Sequence, residues 1–174
     1  MVFKSPFPDV DVPDSLLGPF VLQHASRLAS APALVDGASG RTLTYAEFEG
    51  ALKALAGGLA SRGFGKGDVL ALMAPNIPEY AVAFHGAAWS GGSVTTINPT
   101  YTAGEVHHQL TDSGARFLVT VSMFLPIAQE AAEGTGVEAI FTIDPSDAPI
   151  VTELMGTPLA EQIAVDNNDV VALP

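Results

Sequence analysis

The chain has 174 residues, 48% hydrophobic and 15% charged, with no cysteine and a formal net charge of −12. It can bury roughly 70% of its unfolded surface as one domain and is too apolar for disorder, while the lack of cysteine excludes disulfides, thiolate catalysis and Cys-based metal sites. All seven Lys and Arg lie between Lys4 and Arg116, and residues 117–174 carry nine acidic side chains and no basic one, which argues against nucleic acid or an anionic membrane surface as a partner.

The first 44 residues read as a peripheral layer. Pro6, Pro8 and Pro13 keep the start extended. A helix is expected to follow, with Gly18 before it, Pro19 at its first position, and Phe20, Val21, His24 and Leu28 along one side. Asp36-Gly37 between the apolar runs 33–35 and 43–45 suggests a hairpin. The N-terminal residues lack the charged-then-apolar pattern of a secretory signal. The longest charge-free run, 80–104, contains His85, Ser90, Gly91, Gly92, Asn98 and Pro99, which argues against a membrane span. A cytoplasmic protein is the expectation.

Residues 45–143 read as α/β units. Thr44-Tyr45-Ala46-Glu47 forms a capping box, and Phe48, Leu52, Leu55 and Leu59 then recur at helical spacing until Gly63. Four strand-like runs follow, at 69–73, 93–97, 117–121 and 139–143, with starts 24, 24 and 22 residues apart. Helical patterns separate them. Asn76 is expected to cap the first, with Pro78 and Glu79 in its first turn and Gly91-Gly92 as its end. Thr102-Ala103-Gly104-Glu105 opens the second, which stops at Gly114, and Ser122 opens a third that fades at Gly134. Strands separated by single helices need crossover connections and therefore run parallel. The fold class is α/β: an open, mainly parallel sheet with helices on both faces. Residues 144–174 read as a loop, an irregular stretch over 150–168, and the start of an apolar strand at 169–174. A chain that stops inside such a strand is expected to be truncated.

Several runs resemble the adenylate-forming superfamily. Leu43-Thr44-Tyr45-Ala46-Glu47-Phe48 is similar to its Leu-(Thr/Ser)-Tyr-x-Glu-Leu helix entry, and 67–80 looks like its next strand and loop. Ala88-Trp89-Ser90-Gly91-Gly92-Ser93-Val94 resembles its second motif. Asn98-Pro99-Thr100-Tyr101-Thr102-Ala103-Gly104-Glu105 resembles the Asn-Pro-x-Tyr-Thr-x-Gly-Glu segment of 4-coumarate and related acid–CoA ligases, and Pro6 to Pro13 fits the same subgroup. The resemblance spans nearly the whole chain in order. It implies a partial N-terminal domain of an enzyme that joins a small-molecule acid to CoA through an acyl-adenylate, using ATP and Mg²⁺. In that family a Gly/Ser/Thr-rich phosphate loop follows a strand like Asp169-Val170-Val171-Ala172-Leu173-Pro174. With no such loop and no C-terminal lid here, the chain alone is expected to be inactive, with no catalytic residue and no cofactor of its own.

Gly63-Phe64-Gly65-Lys66-Gly67 precedes a strand, whereas a phosphate loop follows one; it reads as a turn with Lys66 exposed. His107-His108 is a poor metal site, because adjacent helical residues do not share a face. His24 and His85 read as core or boundary histidines. The candidate site is Asn98, Pro99, Thr100 and Tyr101, at the C-terminal end of a parallel strand, where open sheets place ligand contacts. The resemblance puts this turn near the CoA pantetheine tunnel; the plain alternative is turn chemistry leading to the Thr102 cap. Two other classes stay open: a stand-alone α/β interaction module and, more weakly, a Rossmann domain, whose Gly-x-Gly is replaced here by Ala74-Pro75-Asn76. Exposed apolar surface is expected to drive self-association.

Overall fold

The computed structural model describes residues 6–8, 10, 11 and 13–174. The reading of the first five residues as lacking a signal pattern lies outside the described residues, as do Asp9 and Val12 of the Pro6 to Pro13 run.

The chain opens with a six-residue helix, α1 (Leu17–Leu22). It is shorter than the apolar spacing suggests: Gly18 lies inside it, and Leu28 falls in the irregular turns beyond. His24, read as a core or boundary residue, is exposed there. The hairpin forms as expected, from β1 (Pro32–Val35) and β2 (Thr42–Thr44), paired antiparallel. The Asp36 carboxylate accepts from the Ala38 N–H at 2.9 Å and organises the connecting loop. Thr44 then caps α2 (Tyr45–Ser61) through the complete capping box with Glu47.

A five-stranded sheet follows. Its strands are β3 (Val69–Met73), β4 (Ser93–Thr96), β5 (Ala115–Thr120), β6 (Ala139–Thr142) and β7 (Ala172–Leu173). They lie in the order β6-β5-β3-β4-β7, every pair parallel. Between them run α3 (Pro78–Trp89), α4 (Ala103–Ser113) and α5 (Leu125–Ala132). The α/β reading with helices on both faces is therefore correct. Asn76 is not the cap of α3. Ile77 holds that position without a side-chain bond, and Pro78 starts the helix with its fixed φ and no orphan N–H.

The central strand shows why both faces are covered. All five residues of β3 are buried, and side chains alternate across a strand. Leu70 and Leu72 join Leu52, Leu55 and Leu59 of α2, Val82 and Ala87 of α3, and Phe117 and Val119 of β5. Val69, Ala71 and Met73 point the other way, to Val106 and Leu110 of α4 and Ala128 and Ala131 of α5. Each fully buried Leu contributes about 1.5–3 kcal/mol, so the two layers, not the helix propensities, fix the architecture.

Two backbone devices close the units. α3 ends in a Schellman motif: Gly91 turns at φ +86°, its N–H reaches the Ala88 carbonyl, and the Gly92 N–H reaches that of Ala87. At the amino ends of the strands, Arg116 donates to the carbonyls of Gly63 and Arg62, each at 3.0 Å, and pairs with Glu138 at 2.9 Å. Lys66, exposed as expected, pairs with Asp169 at 2.6 Å.

The irregular stretch read at 150–168 is ordered by backbone contacts to helices. It begins as a 3₁₀ turn, Val151–Leu154, and then crosses α2 and α3 as a strap. The Gly156 N–H donates to Ala54 O at 2.9 Å, Leu159 N–H to Lys53 O at 3.1 Å, and Ile163 N–H to Trp89 O at 3.0 Å. The Trp89 indole donates to Leu159 O at 3.2 Å. This approach requires Gly57 and Gly58: a Cβ on Gly58 would lie 1.4 Å from the Leu154 carbonyl oxygen, and one on Gly57 1.9 Å from that of Thr157. Gly58→Ala is therefore expected to detach or displace the strap and lower stability by ~2 kcal/mol or more. Gly50→Ala, where a Cβ meets nothing within 4 Å, is the control and should be neutral or slightly stabilising in thermal melts.

Candidate functional site at the carboxyl edge of the sheet

The chain passes from β3 to its neighbour β4, then returns past β3 to form β5 on its other side. The helix after β3 lies on one face and the helix after β4 on the other. The connections diverge between β3, which leads to β4, and β5, which leads to β6, so the topological switch point lies between β3 and β5. Asn98, Pro99, Thr100 and Tyr101 leave the carboxyl end of β4, one strand away on the same edge, the edge where open sheets place ligand contacts.

Their conformation is locally fixed. The Asn98 side-chain oxygen accepts from the Thr100 N–H at 3.0 Å and from its hydroxyl at 2.9 Å. The Tyr101 N–H donates to the Asn98 carbonyl at 3.1 Å. Thr102 then caps α4 in a complete capping box with Glu105. Asn98 and Thr100 are exposed, Pro99 is half-buried, and Tyr101 is 38% exposed. The same bonds that build the turn leave Tyr101 at the surface.

Beside the turn lies an open groove of about 690 Å³, lined by Tyr101, Glu105, His108, Gln109, Asp112 and Pro174 among others. His107 and His108 diverge as adjacent helical residues must: His107 Nδ1 meets the Ala131 carbonyl at 2.9 Å, and His108 lines the groove. Among the described residues, no group of three or more His, Asp or Glu could hold a metal ion.

Residues with no distinctive spacing complete the edge. The Gln109 amide donates to Thr95 Oγ1 at 2.9 Å and to the Thr96 carbonyl at 3.1 Å. Burial pushes the phenol of Tyr80, in the first turn of α3, above its ordinary value, against a smaller opposing effect of nearby Thr96. At the ends of β5 and β6, Asp144 accepts from the Ser122 N–H at 2.7 Å and from its hydroxyl. Burial raises the Asp144 carboxyl, but the Ser122 bonds outweigh it and hold the group below its ordinary value. Sequence reading missed these partners because each pair is far apart in the chain and made of common residue types.

The edge supplies hydroxyls, amides and carboxylates. It does not supply a phosphate cradle: no glycine lies between the carboxyl end of β3, β4, β5 or β6 and the helical turn that follows it. Among the described residues, Glu105 and Asp112 line the groove and no Lys or Arg does, so its charge disfavours a triphosphate.

The titrating groups set an expected pH profile. The backbone N–H and hydroxyl of the capping Thr hold Glu47 and Glu105 below their ordinary 4.5. Such depressed carboxylates stabilise the fold above that value and lose the contribution as the pH falls through their folded values. Burial holds His85 below its ordinary 6.5, and its Nδ1 is buried without a hydrogen-bond partner. The folded state therefore resists this proton, and stability falls as the pH drops below 6.5 toward the folded value. Thermal melts should be flat above pH 7, decline in a shallow first step below 6.5, and decline again below 4.5. His85→Phe should remove the first step and leave the second; a first step that survives this change contradicts the assignment.

Comparison with known proteins identifies the family and the fold. The family model described as AMP-binding enzyme matches residues 21–173. The chain is 38% identical to 4-coumarate–CoA ligase 3 of Oryza sativa subsp. japonica, over 100% of this chain and 32% of the relative. It is also 38% identical to 4-coumarate-CoA ligase 1 of Narcissus pseudonarcissus, over 99% of this chain and 32% of the relative. The chain thus spans about a third of the length of these curated relatives. Among solved structures, a long-chain-fatty-acid-CoA ligase from Archaeoglobus fulgidus superposes with a TM-score of 0.87 at 25% identity, covering 98% of this chain and 36% of that one. The N-terminal domain of FACL13 from Mycobacterium tuberculosis superposes at 0.77 with 26% identity, covering 91% of this chain and 41% of that one. No helix among the described residues is long and apolar enough to cross a membrane.

Proposed function

This chain belongs to the AMP-binding enzyme family, and from that premise we propose that it forms the N-terminal third of an AMP-forming acid–CoA ligase of the 4-coumarate type. The observation that carries this reading is the turn Asn98-Pro99-Thr100-Tyr101 at the carboxyl end of β4, set in a chain whose whole length aligns with 32% of a 4-coumarate–CoA ligase. The parent enzyme would activate a small carboxylic acid as its acyl-adenylate and pass the acyl group to the thiol of CoA. ATP and Mg²⁺ belong to the parent reaction. The described residues offer no cradle for the phosphates, and the 174-residue chain alone is inactive.

Within the parent, Thr100 and Tyr101 form a wall of the passage for the pantetheine arm of CoA. Support comes from their place on the carboxyl edge of the sheet, their exposure, and a groove whose carboxylates suit a neutral ligand segment better than a phosphate. The aromatic acid preference rests on the likeness to the 4-coumarate enzymes.

The test is a graft. The aligned segment of the Oryza sativa relative, 38% identical, is replaced by this chain, and thioester formation from a cinnamic-type acid, ATP and CoA is measured. The graft is expected to turn over, and the 174-residue chain is expected to make neither acyl-adenylate nor thioester. Thr100→Val with Tyr101→Ala in the graft should raise the apparent KM for CoA about tenfold, from the loss of one or two hydrogen bonds, with adenylate formation unchanged. A graft that melts cooperatively yet makes no thioester contradicts the reading, as does turnover by the short chain.

A further inference from the structure

The turn at residues 98–101 is held by two sets of local bonds, the Asn98 side chain behind it and the capping box ahead of it. Neither fixes the turn relative to the sheet. Gln109 does. It lies seven residues after the cap Thr102, two helical turns along α4, on the side that faces the carboxyl end of β4. Its amide donates to both the buried Thr95 hydroxyl and the Thr96 carbonyl, the last two residues of the strand. The strand end and the second turn of α4 are thereby tied together, and the segment between them, which contains the candidate site, is a closed loop anchored at both ends.

We propose that Gln109 is a positioning residue for the ligand wall formed by Thr100 and Tyr101: through its paired bonds to Thr95 and Thr96 it sets how far that wall stands from the carboxyl end of the sheet. This rests on the reading of the turn as a pantetheine contact. Two features support a positional role over simple packing. The side chain is half-buried at the groove, so its volume fills no core. The apolar packing of α4 is supplied separately by Val106 and Leu110, both fully buried. Removing the Gln109 donor therefore frees the turn without unseating the helix.

The experiment uses the ¹⁵N-labelled 174-residue protein titrated with pantetheine, a neutral diamide thiol. Saturable shifts are expected at the amides of Thr100, Tyr101 and His108, and Tyr101→Ala should abolish them. Gln109→Met keeps the side-chain length but has no donor. It should weaken pantetheine binding roughly tenfold as the wall loses its set position, and lower the thermal midpoint by a few degrees because the bonds to Thr95 and Thr96 belong to the fold. Gln109→Glu should add a pH dependence beyond that of the native groove, which already carries Glu105, His108 and Asp112: weaker binding at neutral pH, where a carboxylate faces the Thr96 carbonyl, and stronger binding as the acid form gains a donor. Native affinity in Gln109→Met, with Tyr101→Ala still impaired, overturns the positioning role and leaves the site reading standing. No binding by the native chain, or none lost in Tyr101→Ala, overturns both.

Discussion

Everything in this molecule depends on burying one strand from both sides. β3 has no polar face: Val69, Ala71 and Met73 enter one core, and Leu70 and Leu72 the other. A strand of this kind cannot lie at a solvated edge or in a hairpin with one wet face. It requires a neighbour on each side and a helical layer on each surface. β4 and β5 supply the neighbours, and the two helix pairs supply the layers. The switch-point crevice follows from the same constraint. To place partners on both sides of β3, the chain must leave it in one direction and later return past it.

The end of β4 then inherits a rigid setting. Thr95 and Thr96 are tied to α4 through Gln109, so the segment that follows is anchored to the helix it leads into. The turn spends its own polar groups on shaping itself. What remains for a ligand is a hydroxyl, a phenol and exposed backbone. That inventory suits recognition by hydrogen bonding, and it leaves charge stabilisation to groups outside the turn.

Legibility in the sequence tracked the range of the interaction. Thr44 with Glu47 and Thr102 with Glu105 act across three residues, and both boxes formed as their spacing predicts. The four central strands were readable because their apolar runs are contiguous. Asn76 misled because Asn before a helix usually caps it, whereas the N-cap here is Ile77, preceding a proline that needs no cap at its own nitrogen. α1 was overestimated because Leu28 shares its spacing but not its helix. The strap was invisible for a different reason. Its order comes from backbone amides donating to carbonyls of helices some hundred residues earlier in the chain, and backbone groups carry no sequence signal. Gln109 escaped likewise, since nothing local distinguishes a clamping glutamine from a solvated one.

The strap also has a consequence for how this sequence can drift. Its principal bonds to α2 and α3 use main-chain donors that every residue except proline possesses. Apart from Gly156, where a Cβ would lie 2.9 Å from the Gly58 backbone, substitutions along residues 155–163 therefore leave most of the docking chemistry intact, and this stretch can diverge between relatives without losing its path. The main constraint falls on the partner instead. Gly57 and Gly58 sit in the middle of a long helix, where glycine is otherwise disfavoured by roughly 1 kcal/mol relative to alanine, and they cannot be exchanged while the strap lies against them. An alignment of relatives should show the reverse of the usual expectation for helix and loop: a fixed pair of helical glycines beneath a variable, irregular segment.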